Sequence, residues 1–378
     1  MGNSSKRKRD ARANLEKQKI LAPEQVKLNN KKKRATIITV IILIIVAVIL
    51  AVIVSFNVVK AVGKNNLKKA VTISKPVLEQ KEEVTEEEQV IWQDGWIKYN
   101  GKIYEYNEDV LTFLIMGIDK DGEVKEVSYA DNAGQADALF LIVLNPADES
   151  LKVIGINRNT IADIDVYSDT GAYVKTMRSQ ICLQHAYGNG LSESCEWQKE
   201  AIQKLMYHIP IHGYAAINRN SIVPITDAVG GLDVTVIESG DYGTGTEYLA
   251  GDDIHLDGET ALQYVWDRED AFGGADKRLM RQKQYITTFI GKAKEVIKSN
   301  PGIALEIYNA VSKQMVTDMT ADEVTYLASE FSGYGFDRDS IVTIPGENVM
   351  GEKFDEFYVD EDGLYDLIIN IFYKEVEQ

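Results

Sequence analysis

The sequence contains few sulfur and imidazole side chains, with two cysteines and four histidines among 378 residues. Two sulfurs, without histidines at a regular spacing nearby, are too few for a typical zinc site. Cys182 and Cys195 could join in one disulfide that closes a short loop, or remain as two buried free thiols. The sequence leaves both alternatives open.

Charge is absent from residues 35–56, which read ATIITVIILIIVAVILAVIVSF. At about 1.5 Å per residue, a helix of this length spans the roughly 30 Å hydrocarbon layer of a bilayer. The run is longer than the apolar core of a cleaved signal peptide, and no small-x-small cleavage site follows it. We therefore predict an uncleaved transmembrane helix over 35–56.

The charges that are present divide the chain into two opposite parts. Residues 1–34 hold twelve lysines and arginines and three acidic residues, a local net charge of +9, whereas the whole chain has −17 and the remainder therefore −26. The basic block predicts a cytoplasmic N-terminus and an extracellular C-terminal part. No helix-turn-helix or zinc-finger pattern accompanies it, so we expect it to contact membrane lipid and no nucleic acid.

The part after the predicted span begins with a polar segment. Residues 57–90 include EQKEEVTEEE and predict an acidic stalk, and the extracellular domain is expected over 91–378. Its first element is WIKYNGKIYEY at 96–106, in which Asn100-Gly101 predicts a hairpin with a type I′ turn.

Strand and helix patterns alternate through this domain. Apolar runs at 111–118, 138–144 and 152–156 predict strands that are covered on both faces. The fold class is therefore α/β, a three-layer mixed sheet with helices on both faces, preceded by one N-terminal transmembrane helix. The other predicted elements are helices at 196–207, 219–229, 258–265, 276–298 and 360–373, a strand at 233–237 and a helix opened by a capping box at 320–323.

Polar residues stand at the ends of the three apolar strands. Asp119 follows the first strand, Asp137 precedes the second and Arg158 follows the third. Ligands of α/β sheets bind beyond the carboxyl ends of strands, so these side chains are candidates for a binding site. The alternative is that strand ends are polar simply because they reach solvent.

Basic residues gather in DREDAFGGADKRLMRQKQY at 267–285, although the chain is acidic. In the predicted helix, Arg278, Arg281, Gln282 and Tyr285 have the spacing of one helix face. Such arginines bind phosphate or pyrophosphate through charge-assisted and often bidentate hydrogen bonds. An ordinary basic helix face is the alternative interpretation.

An ordered series of motifs runs through about residues 108–290. The motifs are Gly-Ile-Asp at 117–119, Asp137, Arg158, HAYGNG at 185–190, IPIHGYAAIN at 209–218, DAVGGLDVTV at 227–236, LDGETALQYV at 256–265 and R-x-x-R-Q at 278–282. This series resembles the LytR-CpsA-Psr family. The resemblance implies a bacterial cell-surface enzyme that transfers anionic glycopolymers from a polyprenyl-pyrophosphate carrier to peptidoglycan.

Roles for individual residues follow from this resemblance. It implies that Asp119 and Asp137 bind Mg2+ against the pyrophosphate, with Asp137 also among the catalytic residues. It further implies that the pyrophosphate is contacted by four arginines and a glutamine, of which Arg158, Arg278 and Arg281 are catalytic. These residues are Arg158, Arg268, Arg278, Arg281 and Gln282.

The chain departs from the family pattern at several phosphate-binding positions. Gln135-Ala136-Asp137 replaces Arg-Ser-Asp, and Asn157-Arg158-Asn159 replaces Pro-Arg-Asp. Trp266 replaces the first arginine of Tyr-x-Arg-x-Arg, Lys120 stands where an arginine is common, and Asp276 lies one place closer to Arg278 than in the family.

The leading hypothesis is therefore a Mg2+-dependent phosphotransferase. Its expected partners are a polyprenyl-pyrophosphate-linked glycopolymer, peptidoglycan and membrane lipid, and an apolar tunnel for the carrier is expected between sheet and helices. Two alternatives remain, a non-catalytic or regulatory surface binder of polyprenyl-linked polymers and a polyprenyl-pyrophosphate hydrolase.

Overall fold

The computed structural model describes residues 58, 61–63, 66, 76–82, 92–267 and 273–376, and the elements below belong to the unit Lys60–Gln378. The predicted tail 1–34, the transmembrane helix 35–56 and most of the stalk 57–90 lie outside these residues and stay predictions. Within the described ranges, no helix combines the length and the apolar character needed to cross a membrane.

The strands form one six-stranded central sheet and several ribbons of two or three strands. In chain order, they are β1 (Ile97–Tyr99), β2 (Lys102–Tyr106), β3 (Leu111–Ile118), β4 (Ala136–Asn145), β5 (Ser150–Ile156), β6 (Ile161–Tyr167), β7 (Tyr173–Gln180), β8 (Gly213–Asn218), β9 (Leu232–Thr235), β10 (Asp253–Leu256), β11 (Met315–Thr317), β12 (Ile341–Thr343), β13 (Gly346–Met350), β14 (Asp355–Val359) and β15 (Tyr373–Glu375).

The central sheet has the strand order β11-β8-β3-β4-β5-β12. Strand β3 runs parallel to β8 and antiparallel to β4, and β4 is antiparallel to β5. The carboxyl ends of β8, β3 and β5 therefore lie at the same edge of the sheet as the first residues of β4. We call this edge the polar edge.

Helices cover both faces of the sheet, and the described α-helices are α1 (Ser192–Leu205), α2 (Ile222–Ala228), α3 (Gly258–Trp266), α4 (Gly274–Ser299), α5 (Ile303–Val311), α6 (Ala321–Phe331) and α7 (Glu361–Phe372). Residues Leu114 and Leu141 pack on one face with Ile202 of α1 and Ile368 of α7. Residues such as Phe140 pack on the opposite face with α4 and α6. This arrangement confirms the predicted mixed α/β sheet and explains why β3 and β4 are apolar at nearly every position.

The local predictions differ in accuracy. The strand at 111–118 matches β3, and the capping box of Thr320 and Glu323 is present at the start of α6. Between Asn100 and Gly101, both at positive φ (50° and 72°), β1 turns into β2 as the type I′ prediction requires. The predicted strand at 233–237 is β9, which pairs with β10 in a separate ribbon and does not join the central sheet.

The predicted helices need three corrections at their ends. Helix α1 begins at Ser192, before the predicted 196, because the acidic Glu193 in its first turn favours an earlier start. The segment predicted as a helix over 219–229 contains a 3-10 turn, Arg219–Ser221, followed by α2. The long helix predicted for 276–298 is α4, which extends from Gly274 to Ser299. Gly273, immediately before it, has φ 80°.

Both cysteines are buried free thiols, which resolves the alternatives that the sequence left open. The Sγ atom of Cys182 lies 3.2 Å from Nη2 of Arg158. Cys195 lies 4.0 Å from Nε2 of His185 on the same side of the sheet. Burial raises the pKa of the Cys195 thiol to about 12, so this side chain is a neutral packing group.

Two histidines are held neutral inside the domain. Nδ1 of His185 donates to the carbonyl oxygen of Gly134 at 2.8 Å, and Nδ1 of His212 accepts from the backbone N–H of Thr112 at 3.1 Å. Burial lowers the pKa of each imidazole to about 4. Their charged forms are therefore disfavoured in the folded state.

We expect the free energy of unfolding to fall as the pH is lowered from about 6.5 to about 4. In this window the unfolded histidines bind protons that the folded ones do not, so acid favours unfolding. For the buried His185 the loss amounts to at most about 3 kcal/mol, and the half-buried His212 contributes less. Urea unfolding at several pH values measures this free energy, and it should depend less steeply on pH in His185→Gln and His212→Gln than in wild type. The exposed His255→Gln is the control. An equal dependence on pH in all variants would contradict the assignment of His185 and His212 as buried neutral histidines.

Candidate functional site

Four ionisable side chains lie in order along the polar edge. Arg219 follows β8, Asp119 follows β3, Asp137 is the second residue of β4, and Arg158 lies two residues after β5. Because these strands are neighbours in the sheet and neighbouring strands are about 4.8 Å apart, the four backbones are adjacent. The sheet topology therefore places one arginine on each side of the two aspartates.

Asp137 is paired with two arginines. Its Oδ1 lies 3.1 Å from Nη2 of Arg158 and its Oδ2 lies 3.1 Å from Nη1 of Arg278. The Arg278 side chain is only 3% exposed, and those of Asp137 and Arg158 are 11% exposed. Since charges at such depth must be paired, this carboxylate holds the polar edge and helix α4 together.

Asp119 is oriented by the loop that connects β3 to β4. Its Oδ1 accepts the backbone N–H of Gln135 at 2.6 Å. Burial raises the pKa of Asp119 above its ordinary value, and the charge of Asp137 acts in the same direction. Two neighbouring carboxylates repel each other, and a cation between them would offset this repulsion.

The end of this loop is fixed by a glycine and a histidine. Gly134 has φ 96°, and a Cβ atom there would lie 2.7 Å from Cγ2 of Ile118 and 3.1 Å from Oδ1 of Asp119. Its carbonyl oxygen accepts the hydrogen bond from His185. His185 is thus a packing and hydrogen-bonding residue, and it supports the Asp119 carboxylate through Gly134.

Two buried polar atoms of the site have no hydrogen bond to the described residues. They are Oδ1 of Asp137, whose contact with Arg158 is an ion pair only, and Nε of Arg158. Such atoms are rare in folded proteins and call for a ligand. An acceptor beside Nε and a cation beside Oδ1 would satisfy both, as a phosphate with a divalent metal would.

An apolar cavity of about 390 Å3 opens beside this cluster. It lies between one face of the central sheet and helices α2, α3 and α4. The polar groups among its described lining are the side chains of Asp137, Arg219 and Gln282, the indole of Trp266 and the phenol of Tyr285. The apolar lining consists mainly of Ile115, Phe140, Ile142, Ala215, Ile217, Ile225, Leu262, Ile286, Phe289 and Ile290. The cavity lies where the apolar tunnel was expected, between sheet and helices.

A further aspartate braces the site from the side of α4. Asp276, in the first turn of α4, accepts a hydrogen bond from Asn157 at 2.7 Å and another from Asn348 of β13. The hairpin β13–β14 also contributes Asp355, whose carboxylate accepts the backbone N–H of Gly273 at 3.1 Å. These contacts fix the start of α4, and hence Arg278, against the residue that precedes Arg158.

Comparison with known proteins identifies the family of the chain. The model of the LytR_cpsA_psr family matches residues 67–368. The chain belongs to this family. A relative is the polyisoprenyl-teichoic acid–peptidoglycan teichoic acid transferase TagU of Bacillus cereus, which is 26% identical over 258 residues, covering 68% of this chain and 76% of TagU.

Solved structures share the fold. TagV of B. subtilis superposes with a TM-score of 0.54 and 22% identity, covering 70% of this chain and 96% of TagV. The protein gbs0355 of Streptococcus agalactiae superposes with a TM-score of 0.55 and 21% identity, covering 70% of this chain and 86% of gbs0355.

The structure brings together most, but not all, of the residues that the family resemblance singled out. Asp119, Asp137, Arg158 and Arg278 form one cluster, and Gln282 lies at the cavity beside them, with Nε2 donating to the carbonyl oxygen of Val265 at 3.3 Å. Arg268 lies outside the described residues. Its contact with a pyrophosphate stays a prediction.

Arg281 is directed elsewhere. Its Nε donates to the carbonyl oxygen of Tyr264 at 2.8 Å, Nη1 pairs with Glu238, and Nη2 donates to the carbonyl oxygen of Asp267. The guanidinium also lies 5.1 Å from the ring centroid of Tyr242. Arg281 lies three residues after Arg278 in α4, but this spacing does not bring its guanidinium to Asp137. The guanidinium contacts α3 and the segment after β9 instead of the polar edge.

Sequence reasoning missed three residues of the site, Gln135, Asn348 and Arg219. Gln135 accepts from Arg158, Asn348 donates to Asp276, and Arg219 lines the cavity. Only Arg219 carried a usable signal, since it follows an apolar strand in the same way as Asp119 and Arg158. Asn348 lies beyond the motifs of the family, in a hairpin with little apolar periodicity.

We expect Gly134→Ala to lower the free energy of unfolding by roughly 2–4 kcal/mol, since it adds both backbone strain and overpacking beside Ile118. Gly122 is a matched control, because it lies in the same loop at φ 73° with open space around its Cα. Gly122→Ala should cost about 1–2 kcal/mol from backbone strain alone. Urea unfolding of both variants measures the difference, and equal losses would show that Gly134 is not a tight contact.

Proposed function

We propose that the protein is a phosphotransferase that moves an anionic glycopolymer from a polyprenyl-diphosphate carrier to peptidoglycan outside the cell. The observation that carries the proposal is the junction of an apolar cavity with the cluster of Asp119, Asp137, Arg158 and Arg278. The relative TagU, named as a teichoic acid transferase that uses a polyisoprenyl-linked donor and peptidoglycan, supports this choice of substrates.

The cavity and the cluster match the two halves of such a substrate. A volume of about 390 Å3 lies in the range of small-molecule sites, and each buried methylene contributes about 0.8 kcal/mol. The diphosphate would then lie at the polar edge, where Arg158 and Arg278 offer charge-assisted hydrogen bonds. One ligand with an apolar tail and an anionic head satisfies both surfaces.

The residues present also fit Mg2+. Among the described residues, no group of three or more metal-ligating side chains is present, but Mg2+ in phosphate sites is held by one or two carboxylates together with phosphate oxygens and water. Asp119 and Asp137 are such a pair. When bound, the ion would neutralise phosphate charge.

The chain's residues then have distinct tasks in the transfer. A hydroxyl oxygen of peptidoglycan forms a bond to the phosphorus on the glycopolymer side, and the bond from that phosphorus to the bridging oxygen breaks. The electron pair stays on the bridging oxygen, which leaves as part of polyprenyl phosphate, and the hydroxyl proton passes to solvent. Arg158 and Arg278 stabilise the negative charge on the phosphate oxygens during this displacement. Their ion pairs with Asp137 hold the two guanidinium groups in position.

We expect Arg158→Gln and Arg278→Gln to lower kcat/KM for transfer by about 100-fold or more, because each variant removes a guanidinium from the diphosphate. The assay combines the full-length protein with a polyprenyl-diphosphate-linked oligosaccharide and peptidoglycan. Arg178→Gln is the matched control, since Arg178 lies on the exposed strand β7. Unchanged transfer in both site variants would contradict the proposal.

The products of the same assay separate the alternatives. Release of free phosphorylated oligosaccharide without attachment would identify water as the acceptor and hence a hydrolase. Tight binding of the donor by wild type without any turnover would identify a non-catalytic binder.

We further expect Mg2+ to tighten the binding of inorganic pyrophosphate, and EDTA to reverse this effect. In Asp119→Asn and in Asp137→Asn, the increase in pyrophosphate affinity caused by Mg2+ should be at least about tenfold smaller than in wild type, since each variant removes a carboxylate ligand. Asp163→Asn, on the exposed side of β6, is the control. Calorimetry with and without Mg2+ measures the effect, and an equal enhancement in all three variants would exclude a metal site at the two aspartates.

A further inference from the structure

Arg219 is a cation that lines the cavity and lies outside the motifs of the sequence analysis. Its guanidinium donates through Nε and Nη2 to the two carboxylate oxygens of Asp121. It also lies 4.4 Å from the ring centroid of Trp266, in a cation–π contact. The Arg219 side chain remains 32% exposed, so it is positioned by two partners and still accessible to a ligand.

The backbone around Arg219 is joined to the segment that follows Asp119. The N–H of Arg219 donates to the carbonyl oxygen of Lys120 at 3.1 Å. Asn218 donates to the carbonyl oxygen of Gly122 at 2.9 Å, and Gly122 donates to Oδ1 of Asn220 at 2.9 Å. Arg219 is therefore fixed relative to the Asp119 carboxylate, although it comes from a different strand.

Arg219 and Arg158 lie on opposite sides of the two aspartates along the polar edge. Strand β8 lies three strands from β5, so the backbones of Arg219 and Arg158 are about 14 Å apart at roughly 4.8 Å per interval. Extended arginine side chains reaching inward from both sides can contact one diphosphate between them. The polar edge thus presents a cation, two carboxylates and a cation in sequence.

The cavity distinguishes the two sides of this arrangement. Arg219 and Trp266 belong to its described lining, whereas Arg158 and Arg278 do not. A lipid tail that occupies the cavity would place its own phosphate nearest to the mouth. Arg219 is consequently closer to the lipid-side phosphate, and Arg158 to the phosphate that bears the glycopolymer.

We propose that Arg219, stacked on Trp266, binds the lipid-side phosphate and stabilises polyprenyl phosphate as the leaving group. The inference rests on the proposed function. When the bond between the glycopolymer-side phosphorus and the bridging oxygen breaks, the electron pair moves onto the lipid-side phosphate, where Arg219 lies. Of its five N–H donors, two are engaged by Asp121, and the others are available to phosphate oxygens.

Trp266 has a clear task in this assignment. A guanidinium stacks favourably on an indole face, which holds its plane at the cavity mouth while its edge faces the phosphate. The indole of Trp266 and the guanidinium of Arg219, which comes from the end of β8, therefore form one surface at the cavity.

Binding of farnesyl monophosphate and farnesyl diphosphate to the full-length protein in lipid nanodiscs tests the proposal. Farnesyl monophosphate carries only the lipid-side phosphate. Arg219→Gln should weaken its binding about tenfold, as expected for the loss of a charge-assisted contact, whereas Arg158→Gln should change it less than about twofold. Both variants should bind farnesyl diphosphate more weakly than wild type does. Arg178→Gln should bind both ligands with wild-type affinity.

Two further variants separate positioning from charge. Trp266→Phe keeps an aromatic face and should bind farnesyl monophosphate within about threefold of wild type, whereas Trp266→Ala should approach the loss seen in Arg219→Gln. Thermal unfolding of each variant establishes that it is folded.

The outcomes distinguish this inference from the function on which it rests. Wild-type affinity for farnesyl monophosphate in folded Arg219→Gln would overturn the assignment of Arg219, and so would an equal loss in Arg158→Gln. If wild type binds neither farnesyl phosphate nor a polyprenyl diphosphate, the proposed function itself fails and the inference fails with it.

Discussion

The carboxylate of Asp137 is the group on which the arrangement of the site depends. It neutralises Arg158 at the end of β5 and Arg278 on α4, each across 3.1 Å. Breaking such a buried pair leaves an uncompensated charge, which costs more than the pair itself contributes. The ion pairs therefore fix α4 over the sheet, and with it the roof of the cavity. Any anion that binds the two arginines must share them with Asp137.

Helix α4 connects the polar and the apolar halves of the site. Arg278, Gln282, Tyr285 and Phe289 follow one another at intervals of four, three and four residues, which is one face of a helix. Arg278 contacts Asp137, and the other three line the cavity. A single face of the 26-residue helix α4 thus changes from charged to apolar along its length. This pattern matches the anionic head and apolar tail of the proposed ligand.

The elements with strong local signals were predictable, and so was part of the site. Strand β3 and the capping box at Thr320 follow from apolar periodicity and side-chain chemistry, and the strand-end rule located Asp119, Asp137 and Arg158 at one edge. The same rule applies to Arg219 but needs the position of β8 in the sheet, which local patterns do not contain. The hairpins β6–β7 and β13–β14 were missed because many of their apolar side chains face solvent, such as Phe354 at 67% exposure, and the remainder produce no clear core periodicity.

The charge balance of the polar edge bears on the metal. Asp119 and Asp137 offset Arg158 and Arg278, and Asp121 offsets Arg219, so these six side chains sum to zero when all are ionised. A diphosphate diester adds about two negative charges, and burying these without compensation is costly. One divalent cation between Asp119 and Asp137 would restore neutrality. It would also offset the repulsion from Asp137 that, together with burial, raises the pKa of Asp119. This balance supports the magnesium proposed above, and it would account for the two carboxylates in the proposed diphosphate site.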